Sequence, residues 1–276
     1  MNIAILLATY NSEKHIYYQL ESLLHQSYKN WHLYIHDDGS TDNTINIINH
    51  YKNKYHERIT ILKDDTTNRG AKNSFFWLLE HVTANYYMFC DHDDIWLPNK
   101  IKESIEVLTQ YTFIYPQTPL CLYTDLALTD SKYNIIAQSM WKDAKIKPSV
   151  LENLFFLSAF NCVTGCTMLF NHKAKLLASN PPKEVPMHDW WIAYCTIKNK
   201  GKLIHLNKST ILYCQHEDNV VGNQKISPNY IYKKIVSLKE TYITNVARLK
   251  LLKQISNYPT FNYWLAKIIY SIIRIF

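Results

Sequence analysis

Tyr86-Tyr87-Met88-Phe89-Cys90-Asp91-His92-Asp93-Asp94 is a run of five apolar residues that breaks off into three carboxylates and a histidine. A short unbroken apolar run is what a strand buried on both faces requires. Carboxylates crowded where such a strand ends repel one another and are costly unless a cation offsets them. These nine residues predict a central strand whose carboxyl end delivers an acidic cluster.

Upstream the strand pattern recurs three times, each time with a helical stretch behind it. Residues 3–8 form an apolar run, and Ile16, Leu20, Leu23 and Leu24 mark a helix ending near Ser27. Residues 31–36 form a second strand, followed by the turn Asp37-Asp38-Gly39-Ser40 and a helix over 42–55. Residues 59–63 form a third, leading through a polar loop to Gly70 and a helix to about Val82. Four βα units in series predict an α/β fold, a mostly parallel sheet flanked by helices. Ligands of such sheets bind at the carboxyl ends of the strands. The polar clusters 9–11, 37–40, 68–70 and 91–94 all follow strands at that edge.

Downstream, residues 120–128, 161–170 and 202–213 are strand-like, with helices over 150–157 and from Asp189, and from Pro228 the chain reads as helical and basic. No linker rich in Pro, Gly or Ser interrupts the first part. The expected organisation is one domain over residues 1–225 and a basic helical extension over 226–276.

With 47% hydrophobic and 19% charged residues in 276, the composition is that of a globular protein. The net charge of +7 suits an anionic partner such as a nucleotide or a phospholipid surface. Nucleic acid is disfavoured, because the cations are not interleaved with aromatics and no recognition motif is present. The six cysteines are scattered, mostly in apolar runs, with no CxxC pair, and no signal peptide precedes them. That predicts a reducing, cytoplasmic setting. No apolar run reaches the length of a bilayer span. Residues 264–276, as a helix, place Leu265, Ile268, Ile269, Ile272 and Phe276 on one stripe and Lys267, Ser271 and Arg274 on the other side. Such a helix either packs on its own domain or lies on the inner face of the cytoplasmic membrane, through residues 258–276.

The turn after the first strand lacks the glycines of a dinucleotide fold, and neither a Walker A loop nor a nucleophile elbow is present. Phosphate must be neutralised otherwise. Asp91, Asp93 and Asp94 are hard oxygen ligands suited to Mg²⁺ or Mn²⁺ bridging to a diphosphate; an exposed acidic turn that caps a helix is the plainer alternative. Asp37 or Asp38 is suited to accept from a pyrimidine N3–H, although Asp-Gly-Ser is also a common turn. Asp189 follows a proline-constrained loop, either as a helix cap or as a general base for an acceptor hydroxyl. The polar segment 215–222 is either a surface loop or a mobile element whose His216 reaches a diphosphate or its metal. No His/Cys pair has zinc-site spacing.

Taken in order, Ala8-Thr9-Tyr10-Asn11-Ser12-Glu13, Asp37-Asp38-Gly39-Ser40-Thr41-Asp42, Asn68-Arg69-Gly70 and Asp91-His92-Asp93-Asp94-Ile95-Trp96 resemble the inverting family 2 glycosyltransferases of GT-A fold. Tyr123-Thr124-Asp125-Leu126, the segment 165–171, His188-Asp189-Trp190-Trp191, and Gln215-His216 with Asn219-Val220-Val221-Gly222 resemble the bacterial rhamnosyltransferase-like branch. The resemblance covers about residues 2–225. It implies that Thr9, Tyr10, Asn11 and Glu13 line a nucleoside pocket, with Asp37 or Asp38 at the base, and that Arg69 and Lys72 lie near the donor. It implies a DxD motif in Asp91 and Asp93, with Asp93 the metal ligand and Asp91 nearer the ribose, and a catalytic base in Asp189. His92 departs from the Gln or Ala expected between the two carboxylates. The implied reaction moves rhamnose or a hexose from a dTDP- or UDP-linked donor to a hydroxyl of a surface polysaccharide or lipid-linked glycan, with Mg²⁺ or Mn²⁺. A sugar nucleotidyltransferase and a non-catalytic nucleotide-sugar binder are the alternatives; the former lacks its Gly-rich, Arg-containing N-terminal signature here.

Overall fold

Residues 2–64, 68–215 and 230–275 are described by the computed structural model. In chain order the first half comprises strand β1 (Ile3–Thr9), helix α1 (Ile16–Leu24), β2 (Trp31–Asp37), α2 (Thr44–Lys54), β3 (Ile59–Ile61), α3 (Ala71–His81), β4 (Tyr86–Cys90), β5 (Ile95–Trp96), α4 (Lys100–Ile114), β6 (Leu120–Thr129) and β7 (Ile135–Ala137). The second half comprises α5 (Met140–Asp143), α6 (Pro148–Leu151), α7 (Leu154–Ala159), a 3₁₀ turn (Gly165–Thr167), β8 (Met168–Asn171), α8 (His172–Leu177), α9 (His188–Lys198), β9 (Lys202–Cys214), α10 (Tyr230–Ser256) and α11 (Thr260–Ile273).

The strands join one sheet in the order β3-β2-β1-β4-β8-β6-β9-β5, with β7 beside β6. Strands β3, β2, β1, β4, β6 and β9 run in one direction; β8, β5 and β7 oppose them. The expected mostly parallel α/β sheet is present. Its central strands are apolar without interruption because helices cover both faces. Along β1 the two-residue period sends Ile3, Ile5 and Leu7 to a cluster with Leu20, Ile48 and Ile105 of α1, α2 and α4. It sends Ala4, Leu6 and Ala8 to the opposite cluster, with Phe75 of α3, Trp190 of α9 and Tyr263 of α11.

Register fixes the working edge. Thr9 lies beside Asp37, and Leu7 beside Cys90, so the segments after β1, β2 and β4 leave the sheet together. Antiparallel β8 corrects the strand expected over 161–170: only Met168–Asn171 joins the sheet, and the residues before it turn aside.

The last helix packs on the protein, and its facing is informative. Tyr263, Ala266 and Tyr270 are fully buried, whereas Ile268 and Ile272 are 60% and 51% exposed. Lys267 turns inward, its Nζ 4.1 Å from the centre of the Phe160 ring, and Arg274 donates to the Ala144 carbonyl. Of the expected stripe, Ile268 and Ile272 face out, Leu265 and Ile269 are half-buried and Phe276 lies outside the described residues, while Lys267 and Arg274 turn inward and Ser271 is exposed. Among the described residues no helix is long and apolar enough to cross a membrane.

Candidate active site

A cavity of about 490 Å³ opens at the carboxyl edge of the sheet, and Asp91, Asp189, Gly165, Asn161, Tyr213 and Arg248 are among the residues lining it. The acidic run from β4 and the first turn of α9 therefore meet across one space, and the Asp189 charge is felt at Asp91.

Asp189 is the second residue of α9, so it does not cap the helix; the extended Met187 holds that position. Its Oδ2 accepts from the Gly165 N–H at 3.2 Å, its Oδ1 accepts from the Trp190 N–H, and the Asn161 amide donates to Oδ1 at 3.4 Å. Burial pushes its carboxyl up to about 6, while the Trp190 and Gly165 N–H groups and the Arg248 charge hold it from rising further. A carboxylate positioned on three donors and titrating near neutrality is equipped to take a proton at physiological pH.

Gly165 is required by close approach. A Cβ there would lie 2.6 Å from Nε2 of His188, whose buried ring packs against Phe75 and Phe89 at centroid distances of 4.3 and 4.5 Å. Gly165→Ala is expected to cost about 1–3 kcal/mol through overpacking, read as a fall of ~2–4 °C in Tm per kcal/mol. An unchanged melting curve would mean that His188 has room to shift.

On the acidic side, donor atoms of Asp91, Asp94 and Cys166 lie within 4.8 Å of one another. Asp94 is buried, and its Oδ2 has no hydrogen-bond partner among the described residues. Burial first, then the charge of Asp93, pushes Asp91 up to about 7 and Asp94 well above the carboxylate range. Burial first, then the charges of Asp94 and Asp91, pushes the Cys166 thiol well above its ordinary value, which disfavours the thiolate that a soft metal ligand requires. Lys100, buried near Asp94 with its Nζ 4.6 Å from the Trp96 ring centre, is the internal cation that partly offsets the cluster. The remaining demand for positive charge on oxygen donors fits a hard divalent ion such as Mg²⁺ or Mn²⁺. Asp94 thus takes a place beside Asp91 in this group, whereas Asp93, the expected metal ligand, is not one of its members and acts on both through its charge. His92 points its Nδ1 toward the Ala8 carbonyl, 3.3 Å away.

The residues expected around a nucleoside are largely gathered at the same edge. The Asp38 N–H donates to the Thr9 carbonyl at 2.9 Å, and the Asp38 carboxylate accepts from the Arg69 and Gly70 N–H groups at 2.7 and 2.8 Å. Asp37 closes its own turn, accepting from the Gly39 and Ser40 N–H groups. Asn11, at a φ of 45°, accepts from the Thr41 N–H, and Glu13 accepts from the Asn43 N–H. Both acids of the Asp-Asp pair thus brace loops, with lone pairs left over for a ligand. Arg69 pairs with Asp64 and lies over Trp77. Lys72 donates to the carbonyls of Lys183 and Val185. Tyr10 is 45% exposed. His216 lies outside the described residues.

Sequence reasoning missed Arg248, which reaches the cavity from α10, with its guanidinium 5.5 Å from the Trp190 ring centre. No motif surrounds it, so only the packing of α10 reveals it. It missed Asn161 and Gly165 as partners of Asp189 for the same reason.

Comparisons with known proteins identify the family and the fold. The family model described as Glycosyl transferase family 2 matches residues 4–173. The dTDP-rhamnosyl transferase RfbG of Shigella flexneri is 30% identical over 241 residues, covering 83% of this chain and 78% of that protein. Among solved structures, S. aureus TarS in complex with UDP-GlcNAc superposes with a TM-score of 0.57 at 18% identity, over 95% of this chain and 74% of that one. The mannosyltransferase PcManGT of Pyrobaculum calidifontis, in complex with GDP-Man and Mn²⁺, gives 0.61 at 12% identity, over 99% and 80%. These likenesses identify the sheet as the GT-A fold.

Proposed function

The chain belongs to glycosyl transferase family 2, and from that premise we propose that it moves rhamnose or a hexose from a dTDP- or UDP-linked donor to a hydroxyl of a surface polysaccharide or lipid-linked glycan, inverting the anomeric centre. The observation that carries this reading is the convergence of Asp189 and Asp91 on one cavity, with Asp189 lifted to about 6 by burial.

In this reading Asp189 takes the proton from the acceptor hydroxyl, which attacks the anomeric carbon as the bond to the diphosphate breaks. The backbone N–H of Gly165 and the charge of Arg248 hold Asp189 in place and ionised. Asp91, Asp93 and Asp94 would hold a Mg²⁺ or Mn²⁺ ion, which when bound supplies positive charge to the departing diphosphate. Thr9, Asn11 and the Asp37-Asp38 turn form the rim of the nucleoside pocket, and the loop 68–70 is held against that rim by Asp38. The relative named for dTDP-rhamnosyl transfer supports the donor class.

The test is a thermal-shift screen of nucleotide sugars with Mn²⁺ or Mg²⁺, followed by product analysis. A true donor at about 100 times its Kd stabilises the fold by roughly 2.7 kcal/mol. The reaction should release a nucleoside diphosphate and yield a glycoside of inverted configuration by NMR. Release of pyrophosphate instead would reassign the protein to nucleotidyl transfer, and binding without turnover across the acceptor classes would leave a sensor.

A further inference from the structure

The outward stripe of α11 is the largest feature the catalytic reading leaves unused. Phe261, Ile268, Ile272 and Ile275 are 72%, 60%, 51% and 69% exposed, at spacings of seven, four and three residues. They fall on one face, opposite the buried Tyr263, Ala266 and Tyr270. The face continues onto α10, where exposed Tyr242 stacks its ring on Trp264 and Ile243 and Val246 lie in the open. Single exposed apolar residues are ordinary, but a contiguous ridge marks an interaction surface.

At the far end of the ridge the surface changes character. A recess of about 520 Å³ is walled by Lys142, Lys145, Lys147, Arg274 and Ile275, so Ile275 belongs both to the ridge and to the recess. The three lysines are exposed, and among the described residues no carboxylate lines the recess. Arg274 spends one N–H on the Ala144 carbonyl and keeps a buried Nε with no hydrogen-bond partner among the described residues. His205, also in the wall, is engaged by Glu152 at 2.7 Å. The floor is tied to α11 by the Lys147 N–H, which donates to the Tyr270 hydroxyl at 3.1 Å. Ile146 lines both the recess and the Asp189 cavity.

An apolar ridge running into a cationic recess matches the layering of a membrane interface, acyl chains beside phosphate. We propose that the α10–α11 ridge and the recess of Lys142, Lys145, Lys147 and Arg274 dock this protein on an anionic bilayer, the ridge entering the acyl region and the recess taking a lipid phosphate. The amphipathic ridge supplies apolar burial, and each lysine near an anionic surface adds electrostatic attraction that salt screens. Docked this way, the cavity holding Asp189 stands one residue wall from the headgroup layer. The proposal does not depend on the transferase reading.

Vesicle flotation of the full chain tests it, comparing phosphatidylcholine alone with phosphatidylcholine plus phosphatidylglycerol. The wild type should float with the anionic vesicles and bind the neutral ones at least about tenfold more weakly, with salt eroding the difference. Lys142→Glu/Lys145→Glu should lose about tenfold or more on anionic vesicles, and Ile268→Glu/Ile272→Glu should lose binding at every salt concentration. Equal binding to both vesicle types, or unchanged binding by the ridge variant, overturns the proposal. So does a dimer that the ridge variant dissolves while the vesicles are ignored, which would make the ridge a contact between copies. All substituted positions are exposed; should one variant fail to fold, the wild-type comparison of vesicle types decides alone. Nucleotide-sugar binding is measured separately, so loss of the catalytic reading and loss of this one are distinguishable.

Discussion

Asp189→Asn is expected to lower kcat at least about a hundredfold while donor affinity is unchanged, the loss that follows removal of a general base. Asn keeps the shape of the side chain and one oxygen to accept the Gly165 or Trp190 N–H, so the first turn of α9 should stand, checked by circular dichroism. In the proposed mechanism the same carboxylate should set the pH profile. Burial raises it to about 6, and a base works only when deprotonated, so kcat should climb as pH rises through about 6 and level off above it. The Arg248 charge is one of the influences that hold the value down. Arg248→Met should therefore move the acid limb to higher pH, a displacement that a purely structural arginine would not cause. If the Asn variant turns over at the wild-type rate, or the wild-type profile is flat between pH 5 and 8, Asp189 is a bystander of the cavity.

The parts of this architecture legible in the sequence were those whose physics is local. Strand β1 is buried at all seven positions, and that condition writes itself as an unbroken apolar run; the same holds for β4. Helix α4 drew no expectation although Ile101, Ile105 and Leu108 form its buried stripe, because Phe113 and Ile114 on its exposed side blur the polar contrast. In the site, the acidic run stood out because carboxylates rarely follow a buried strand. What fixes Asp189 did not, since the Gly165 N–H is 24 residues away in sequence and carries no compositional signal. For α11 the period gave a helix with two sides, but the outward face is Phe261, Ile268, Ile272 and Ile275, with Leu265 and Ile269 of the expected stripe half-buried. That was decided by partners: Tyr270 meets the Lys147 N–H and Lys267 meets the Phe160 ring, whereas Ile268 and Ile272 stay more than half exposed.

Asp91→Asn should separate metal chemistry from structure by moving stability and activity in opposite directions. Asp91 titrates at about 7 in the folded protein against an ordinary 3.8, so the native state holds its proton more tightly than the unfolded chain. Stability in the absence of metal must then decline as pH rises from about 4 through 7, because the carboxylate is forced to ionise beside Asp93 in a buried site. Measured in chelator at pH 8, the Asn variant should melt above the wild type by at least ~2–4 °C, the shift that 1 kcal/mol produces in a domain of this size. Adding Mn²⁺ should raise the Tm of the wild type and do little for the variant. Turnover should fall by ~10²–10³ if the proposed ion is held there, since a metal is worth several kcal/mol to a departing diphosphate and each 1.36 kcal/mol is tenfold. Asp189→Asn, by contrast, should keep the full response to Mn²⁺. An Asp91 variant that melts lower in chelator and retains turnover would show that the acidic run is a turn stabilised by Lys100 and Cys166, with no ion to hold.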